Sequence, residues 1–140
     1  TVGTGIGGAR VVDGKLDRNA HGFEIGHQYL LYSENTEFEQ LVSGTAVTQA
    51  YGVPAKEVVD AEVWNAYARI FAYGLYNTIL HWSPDRVVLG GSIVDPTGIT
   101  IEEITKQLQK INRALAVLPD IHAASLEQPG LVGALLYEPT

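Results

Sequence analysis

The sequence predicts an α/β fold in one domain of 140 residues, with a β-hairpin and a third strand first and helices alternating with buried strands after them. Three observations lead to this prediction. Asp13-Gly14 stands between Val11-Val12 and Lys15-Leu16, which is a strong hairpin signal. Apolar residues recur every three or four positions from Trp64 to Ile79, as in an amphipathic helix, and "RVVLGG" is a continuous apolar run typical of a buried strand.

We expect the first part of the chain to supply the antiparallel strands. The hairpin has Val11-Val12 and Lys15-Leu16 as its two arms. The stretch "GFEIGHQYLLY" then predicts the third strand, with residues 29–32 as its apolar half. These strands give the later helices a surface to cover.

A change of hydrophobic period then predicts three helices. The first begins at about Thr36 and ends at Tyr51-Gly52, before Pro54. A short helix from Ala55 and a long one from about Asp60 follow. Gly74, within the long helix, indicates a close contact with another element. The apolar residues that define the first and the long helix are Phe38, Leu41, Val42 and Ala46, and Trp64, Ala68, Phe71, Leu75 and Ile79.

The last part of the chain alternates strands and helices. Ser83-Pro84-Asp85 ends the long helix before the strand "RVVLGG". Another helix is predicted from about Thr100, "DIHAASL" reads as a short strand, and "PGLVGALLY" as a final helix that packs against the sheet. The apolar stripe expected on the Thr100 helix comprises Ile101, Ile104, Leu108, Ile111, Leu115 and Leu118.

Composition limits the partners of this chain. A net charge of -7 argues against a nucleic-acid surface, which needs clustered Lys and Arg. No apolar run is long enough to span a bilayer, so no membrane contact is expected. The absence of cysteine excludes disulfides and Cys-bound zinc within the chain and fits a reducing cytoplasm, where we expect the protein to work. A glycine loop at a free terminus would fray, and we therefore expect the chain to be part of a longer protein.

Three glycine-rich turns are candidates for a ligand site: Gly3–Gly8, Gly90-Gly91 and Gly130–Gly133. Ligands of open α/β sheets bind beyond the carboxyl ends of the strands, and glycine turns there expose amides that can bind phosphate. Glycine used only for tight turns and close packing is the alternative for each loop taken singly.

Glu24 and His27 form a second candidate site in "FEIGHQ". Gly26 must bend the chain if the carboxylate and the imidazole are to converge, and such a pair suits the vicinal hydroxyl groups of a sugar. Two metal ligands, or an exposed pair on a loop, are equally open from the residues alone. Glu39, on the following helix, is a further candidate acceptor. The alternative is that it is an ordinary solvent-exposed glutamate on the surface of the helix. The other histidines, without a partner at recognisable spacing, are interpreted as structural or surface residues: His21, His81 and His122.

Six segments, "GTGIGG", "VVDGKL", "EIGH", "SGTA", "PDRVVLGG" and "PGLVGA", occur in this order over nearly the whole chain. Together they resemble the C-terminal half of ROK family proteins, the bacterial sugar kinases and sugar-responsive repressors with the actin-like ATPase (ribonuclease H-like) fold. The resemblance implies that residues 1–140 are the single, large C-terminal domain. It also implies that the N-terminal half, with the first phosphate loop and the catalytic aspartate, is absent from this chain.

The resemblance also assigns site residues. Gly3, Thr4, Gly5 and Gly7 would belong to the second phosphate loop, and Gly90 and Gly91 to the loop on the adenosine side. Glu24 and His27 match the sugar-contacting residues of the E-x-G-H motif of the family. Glu39 matches the glutamate that closes the cysteine motif and also contacts sugar. The cysteines that hold a structural zinc in that motif are missing from "QYLLYSENTEFE", and no zinc is expected.

The function that the resemblance implies is a hexose kinase using ATP and Mg²⁺, with polyphosphate as an alternative donor. Neither Asp13 nor Asp95 fits the position of the catalytic base, and the chain alone is expected to be inactive. Two alternatives are the ligand-sensing domain of a sugar-responsive repressor and a non-catalytic dimerisation module. The dimerisation module is suggested by the long apolar helices, which would bury surface between subunits, and a homodimer is expected.

Overall fold

The computed structural model of this protein describes residues 1–17 and 21–136, and within them the chain forms five α-helices and six short strands. The strands are β1 (Val11–Val12), β2 (Lys15–Leu16), β3 (Tyr29–Leu31), β4 (Thr36–Glu37), β5 (Arg86–Leu89) and β6 (Asp120–Ala123). The helices are α1 (Phe38–Leu41), α2 (Gly44–Tyr51), α3 (Ala61–Trp82), α4 (Ile101–Ile111) and α5 (Pro129–Leu136). None of these helices combines the length and the apolarity that crossing a bilayer requires.

The predicted hairpin is confirmed. β1 and β2 pair antiparallel, with Val11 opposite Leu16 and Val12 opposite Lys15. Asp13 and Gly14 both have positive φ, 51° and 75°, which is the backbone geometry that a two-residue hairpin turn requires.

The predicted third strand is wrong in its first half. Residues Ile25–His27 form a 3-10 turn, and within this stretch only Tyr29–Leu31 forms a strand. β3 pairs antiparallel with β4 and not with the hairpin. Gly26 in this turn is buried so closely against the carbonyl oxygen of Ile6 that a Cβ atom there would overlap it, so this position requires glycine.

The helix predicted from Thr36 is two helices that begin later. Thr36 and Glu37 belong to β4, and α1 begins only at Phe38. The chain leaves helical geometry at Val42, and the Ser43 Oγ atom accepts a hydrogen bond from Ala46 N (3.0 Å), so that Ser43 caps a new helix, α2. Gly52, with a φ of 72°, ends α2 as predicted.

Helix α3 forms the centre of the core. The residues predicted for its apolar face are all buried: Trp64, Ala68, Phe71, Leu75 and Ile79. Gly74 faces the ring of Phe38 on α1, and a Cβ atom on Gly74 would lie 2.5 Å from the Phe38 Cζ atom. The close contact predicted at Gly74 is therefore confirmed.

The second half of the chain follows the predicted order, with two differences. β5 and β6 pair in parallel, and α4 packs against α3. Helix α4 ends at Ile111, because Asn112 turns the chain out of the helix. The Asn112 Oδ1 atom accepts hydrogen bonds from Tyr76 OH and Leu115 N. Leu115 and Leu118 therefore pack against the core from the loop that follows α4. Helix α5 has no buried residue, so its predicted packing against the sheet is wrong. The strands form three separate two-stranded sheets in the described residues, which leaves no broad sheet face for α5 to cover.

Candidate functional site

The loop Gly3–Gly8 lies against the loop that follows β5. Val2 N donates a hydrogen bond to Gly90 O (2.7 Å), and a Cβ atom on Gly91 would overlap the backbone of Val2. Gly91 also has a φ of 115°, so both its conformation and its surroundings require glycine. Two of the three predicted glycine turns therefore meet at the end of a strand.

The third glycine turn does not join them. Gly130 and Gly133 lie within α5, and a Cβ atom on either would meet no other described atom within 4 Å. This candidate therefore lies apart from the other two, because "PGLVGA" here forms an exposed helix.

The N-terminus of α2 is joined to the same glycine loop. Gly44 N donates to Gly3 O (2.6 Å), and Thr45 Oγ1 donates to Thr4 O (2.7 Å). The N–H groups of Thr4 and Gly5 donate to no atom of residues 1–17 and 21–136. Unpaired amides in a glycine turn beside a helix N-terminus form a local environment suited to an anion. Sequence reasoning noted "SGTA" but gave no role to Gly44 or Thr45.

Glu39 lies on the opposite flank of the loop. Its Oε2 atom accepts a hydrogen bond from Ile6 N (3.1 Å). A Cβ atom would lie 2.7 Å from that oxygen if placed on Gly5 and 3.0 Å from it if placed on Gly26. The half-buried Glu39 carboxylate thus occupies a notch that exists because two of its neighbours are glycines.

The turn that carries His27 is anchored on α3. Gln28 Nε2 donates to Ile25 O (2.9 Å) and to Gly74 O (3.2 Å), and its Oε1 atom accepts from Asn77 Nδ2 (3.1 Å). The ring of Phe23 packs on Trp82, with the centroids 4.6 Å apart. The turn therefore has a fixed position relative to the glycine loop, with Glu24 and His27 exposed on it.

His27 pairs with a residue that the sequence analysis missed. Its Nδ1 atom lies 2.8 Å from Glu37 Oε2, and the side chains of His27 and Glu37 are 54% and 23% exposed. The hydrogen bond and the charge of Glu37 raise the pKa of His27 above 6.5, with smaller contributions from Glu39 and Glu24. Sequence alone does not separate Glu37 from an ordinary solvated glutamate at a helix start.

The donor atoms of His27, Glu37 and Glu39 lie within 4.8 Å of one another. They are N and O donors that could share a cation. All three are already engaged by hydrogen bonds, His27 with Glu37 and Glu39 with Ile6 N, and these bonds account for the arrangement. The expectation of no structural zinc stays a prediction. The other three histidines are exposed: His21, His81 and His122.

A cavity of about 700 Å³ lies between residues 6–13 and β5. Phe71, Leu75 and Ile79 of α3 line it, and Val11 and Val88 at its edges are 61% and 58% exposed. Apolar side chains form most of the lining of this cavity, and four charged residues also line it: Arg10, Asp13, Asp85 and Arg86. Glu24, His27 and Glu39 are not part of the lining.

Comparison with known proteins identifies relatives over the full chain. The ROK family profile matches residues 1–139. The fructokinase of Zymomonas mobilis is 29% identical, over 96% of this chain and 51% of that protein. A ROK hexokinase from Thermus thermophilus superimposes with a TM-score of 0.77 at 28% identity, over 97% of this chain and 54% of the other. A ROK family protein from Streptococcus pneumoniae, crystallised with sucrose, superimposes with a TM-score of 0.78 at 27% identity, over 96% and 54%.

The predicted fold class, an α/β domain of the actin-like ATPase type, is confirmed by this structural similarity. The chain spans about half the length of the relatives that it matches.

Proposed function

The chain belongs to the ROK family, and from this membership we propose that it is the C-terminal domain of a sugar kinase that transfers a phosphoryl group from ATP to a hexose hydroxyl. One observation carries the proposal. The glycine loop contacts the Gly90-Gly91 loop on one flank and Glu39 on the other. A phosphate-binding loop between a donor side and a sugar side is the order that positions a phosphoryl group for transfer.

On the sugar side, Glu24, His27 and Glu39 would contact the hexose. Carboxylates accept hydrogen bonds from hydroxyl groups, and an imidazole can donate or accept depending on its protonation. The names of two relatives, a fructokinase and a protein crystallised with sucrose, support a sugar as the ligand.

On the donor side, Gly3, Thr4, Gly5 and Gly7 would hold the phosphates, and Gly90 and Gly91 would lie next to the adenosine. The amides of Thr4 and Gly5, which donate to no described residue, fit a phosphate oxygen. Bound ATP would supply the phosphoryl group, and Mg²⁺ would neutralise the charge that develops on it.

We further propose that the remaining half of the protein lies N-terminal to this chain and supplies the catalytic aspartate. The half-length match supports this, and so does the apolar cavity beside β5, which an additional strand would fill. The 140-residue chain alone would then be inactive. We expect the whole protein to be a cytoplasmic homodimer.

The test uses the full-length protein and a panel of hexoses. Glu24→Ala and His27→Ala should raise the KM for the hexose at least about tenfold, because each removes a hydrogen bond to a polar substrate, and should leave nucleotide binding within about twofold. Glu57→Ala, an exposed glutamate outside the cluster, is the control.

Equal losses of sugar and nucleotide binding in these variants would contradict the proposal that Glu24 and His27 contact the hexose. Hexose binding without any phosphoryl transfer would favour the sugar-responsive repressor.

A further inference from the structure

Glu37 is held in place by its own backbone as well as by its contact with His27. Its N–H donates to Gln40 Oε1 (2.9 Å) in the first turn of α1, and in the β3–β4 pairing Glu37 lies opposite Tyr29. The carboxylate of Glu37 is therefore presented from a fixed strand-to-helix junction, whereas the ring of His27 projects from a 3-10 turn.

The chemistry of this pair restricts the protonation of the imidazole. An ionised carboxylate only accepts hydrogen bonds, so at 2.8 Å the Nδ1 atom of His27 must carry the hydrogen that it donates to Glu37 Oε2. Nε2 is then the ring nitrogen available to a ligand.

We propose that Glu37 is a positioning residue for sugar binding, which fixes the His27 ring through Nδ1–H and thereby presents Nε2 to a hydroxyl group of the hexose. This inference rests on the proposed function, because it needs a sugar next to His27.

Among residues 1–17 and 21–136, the charged groups that act on His27 are all acidic. Glu37 is on the β4–α1 junction, Glu39 on α1 and Glu24 at the start of the turn, and all three raise the pKa of His27. With Nδ1 protonated in both states, only Nε2 changes with pH. It accepts from a hydroxyl group when the ring is neutral and donates to one when the ring is charged. Loss of the Glu37 charge should therefore move any His27-linked change in hexose affinity to lower pH.

The test uses the full-length protein with Glu37→Gln, and Glu34→Gln as the matched control, since Glu34 is exposed and its side chain has no assigned contact in the described residues. Glu37→Gln should raise the KM for the hexose about tenfold with kcat and the KM for ATP within about twofold, since a charged hydrogen bond is lost. Glu37→Asp, which keeps the charge, should retain more hexose affinity than Glu37→Gln.

A second readout does not depend on kinase activity. NMR of the protein with ¹⁵N-labelled histidine rings, with the His27 signals assigned by their loss in His27→Gln, reports which nitrogen carries the hydrogen. We expect Nδ1–H in neutral His27 of the wild type and a shift toward Nε2–H in Glu37→Gln.

Nε2–H in wild-type His27 would overturn the proposal, even if Glu37→Gln failed to fold. An unchanged KM for the hexose in a folded Glu37→Gln would overturn it as well. A third outcome is a wild-type protein in which His27 carries Nδ1–H but which neither binds nor phosphorylates a hexose. This result would contradict the proposed function and, with it, a role of Glu37 in sugar binding. The His27–Glu37 hydrogen bond itself would still be supported.

Discussion

At the scale of single residues, Glu39 connects the glycine loop with the turn that carries His27. Its carboxylate accepts the Ile6 N–H of the glycine loop and lies beside the turn that carries His27. A shift of this side chain would therefore disturb the loop and the turn together.

Glu39→Gln in the full-length protein should weaken hexose use about tenfold, because an amide replaces one acceptor oxygen with a donor, while its remaining oxygen can still accept from Ile6 N. The KM for ATP should change much less. Steady-state kinetics against the control Glu57→Gln measure both effects. A larger change in the KM for ATP than in that for the hexose would contradict a role on the sugar side.

The His27–Glu37 pair makes a pH-dependent contribution to stability. The pKa of folded His27 is raised above 6.5, so the contribution is fully present below about pH 6.5 and is lost as the pH rises through the raised pKa. His27→Gln should therefore reduce the free energy of unfolding of the full-length protein more at pH 6 than at pH 9. Urea unfolding at both pH values measures this, and an equal difference at both would show that the pair does not contribute as an ion pair.

The sequence identifies candidate site residues where they are part of a recognisable motif. Glu24, His27, Glu39 and the glycine turns belong to this group, and the structure brings Glu39 and His27 next to the loop. Glu37 could not be predicted, because its role depends on a distance of 2.8 Å across a turn whose conformation the strand pattern did not reveal.

At the scale of elements, local signals predicted the hairpin and α3, whereas long-range packing decided the region around Gly26. A run such as "GFEIGHQYLLY" favours a strand by composition. The 3-10 turn found there places Gly26 in tight contact with Ile6 O and Glu39, and tertiary contacts of this kind are not visible in a local pattern.

The packing of α3 against α1 gives a test of element stability. Gly74→Ala adds a Cβ atom 2.5 Å from the Phe38 ring, and such overpacking should cost about 1 to 3 kcal/mol of the free energy of unfolding. Gly130→Ala is the matched control, because it lies in α5 and its Cβ atom would meet no described atom within 4 Å. Denaturant unfolding of the full-length protein measures both. A neutral Gly74→Ala would show that Phe38 can move aside at little cost.

The junction of α2 with the glycine loop gives a second test. Thr45→Val removes the hydrogen bond to Thr4 O (2.7 Å) and should raise the KM for ATP in the full-length protein about three- to tenfold, because about 1 kcal/mol that fixes the loop is lost. Thr48→Val is the control, since Thr48 Oγ1 donates to Gly44 O within α2 itself. Equal effects of the two variants would mean that helix stability, and not the tie to the loop, sets the affinity.

At the scale of the whole molecule, one edge of β5 has no partner strand among the described residues. Asp85 O and Leu89 O accept from Asp120 N and Ala124 N on the β6 side. Backbone carbonyl groups point alternately to the two edges of a strand, so the carbonyl groups of Arg86 and Val88 point to the edge opposite β6. This is also the edge on which Gly90 O accepts from Val2 N. This edge borders the apolar cavity of about 700 Å³.

An open strand edge of this kind is a site for pairing with another segment. We propose that this segment belongs to the part of the full-length protein that this chain, about half as long as its relatives, does not span. Val88, which is 58% exposed in this chain, would then be buried in the full-length protein, whereas Val117, which is 82% exposed and lies outside the cavity, would stay exposed. Val88→Asp should therefore destabilise the full-length protein by roughly 1 to 3 kcal/mol, because burying a carboxylate costs free energy even where Arg10 and Arg86, which line the same cavity, offset part of it. Val117→Asp should change its stability by less than about 0.5 kcal/mol. Denaturant unfolding of both variants, together with hydrogen exchange of the β5 amides, makes the comparison. Equal stability of the two variants, with rapid exchange at Val88, would mean that the rest of the protein leaves this edge open.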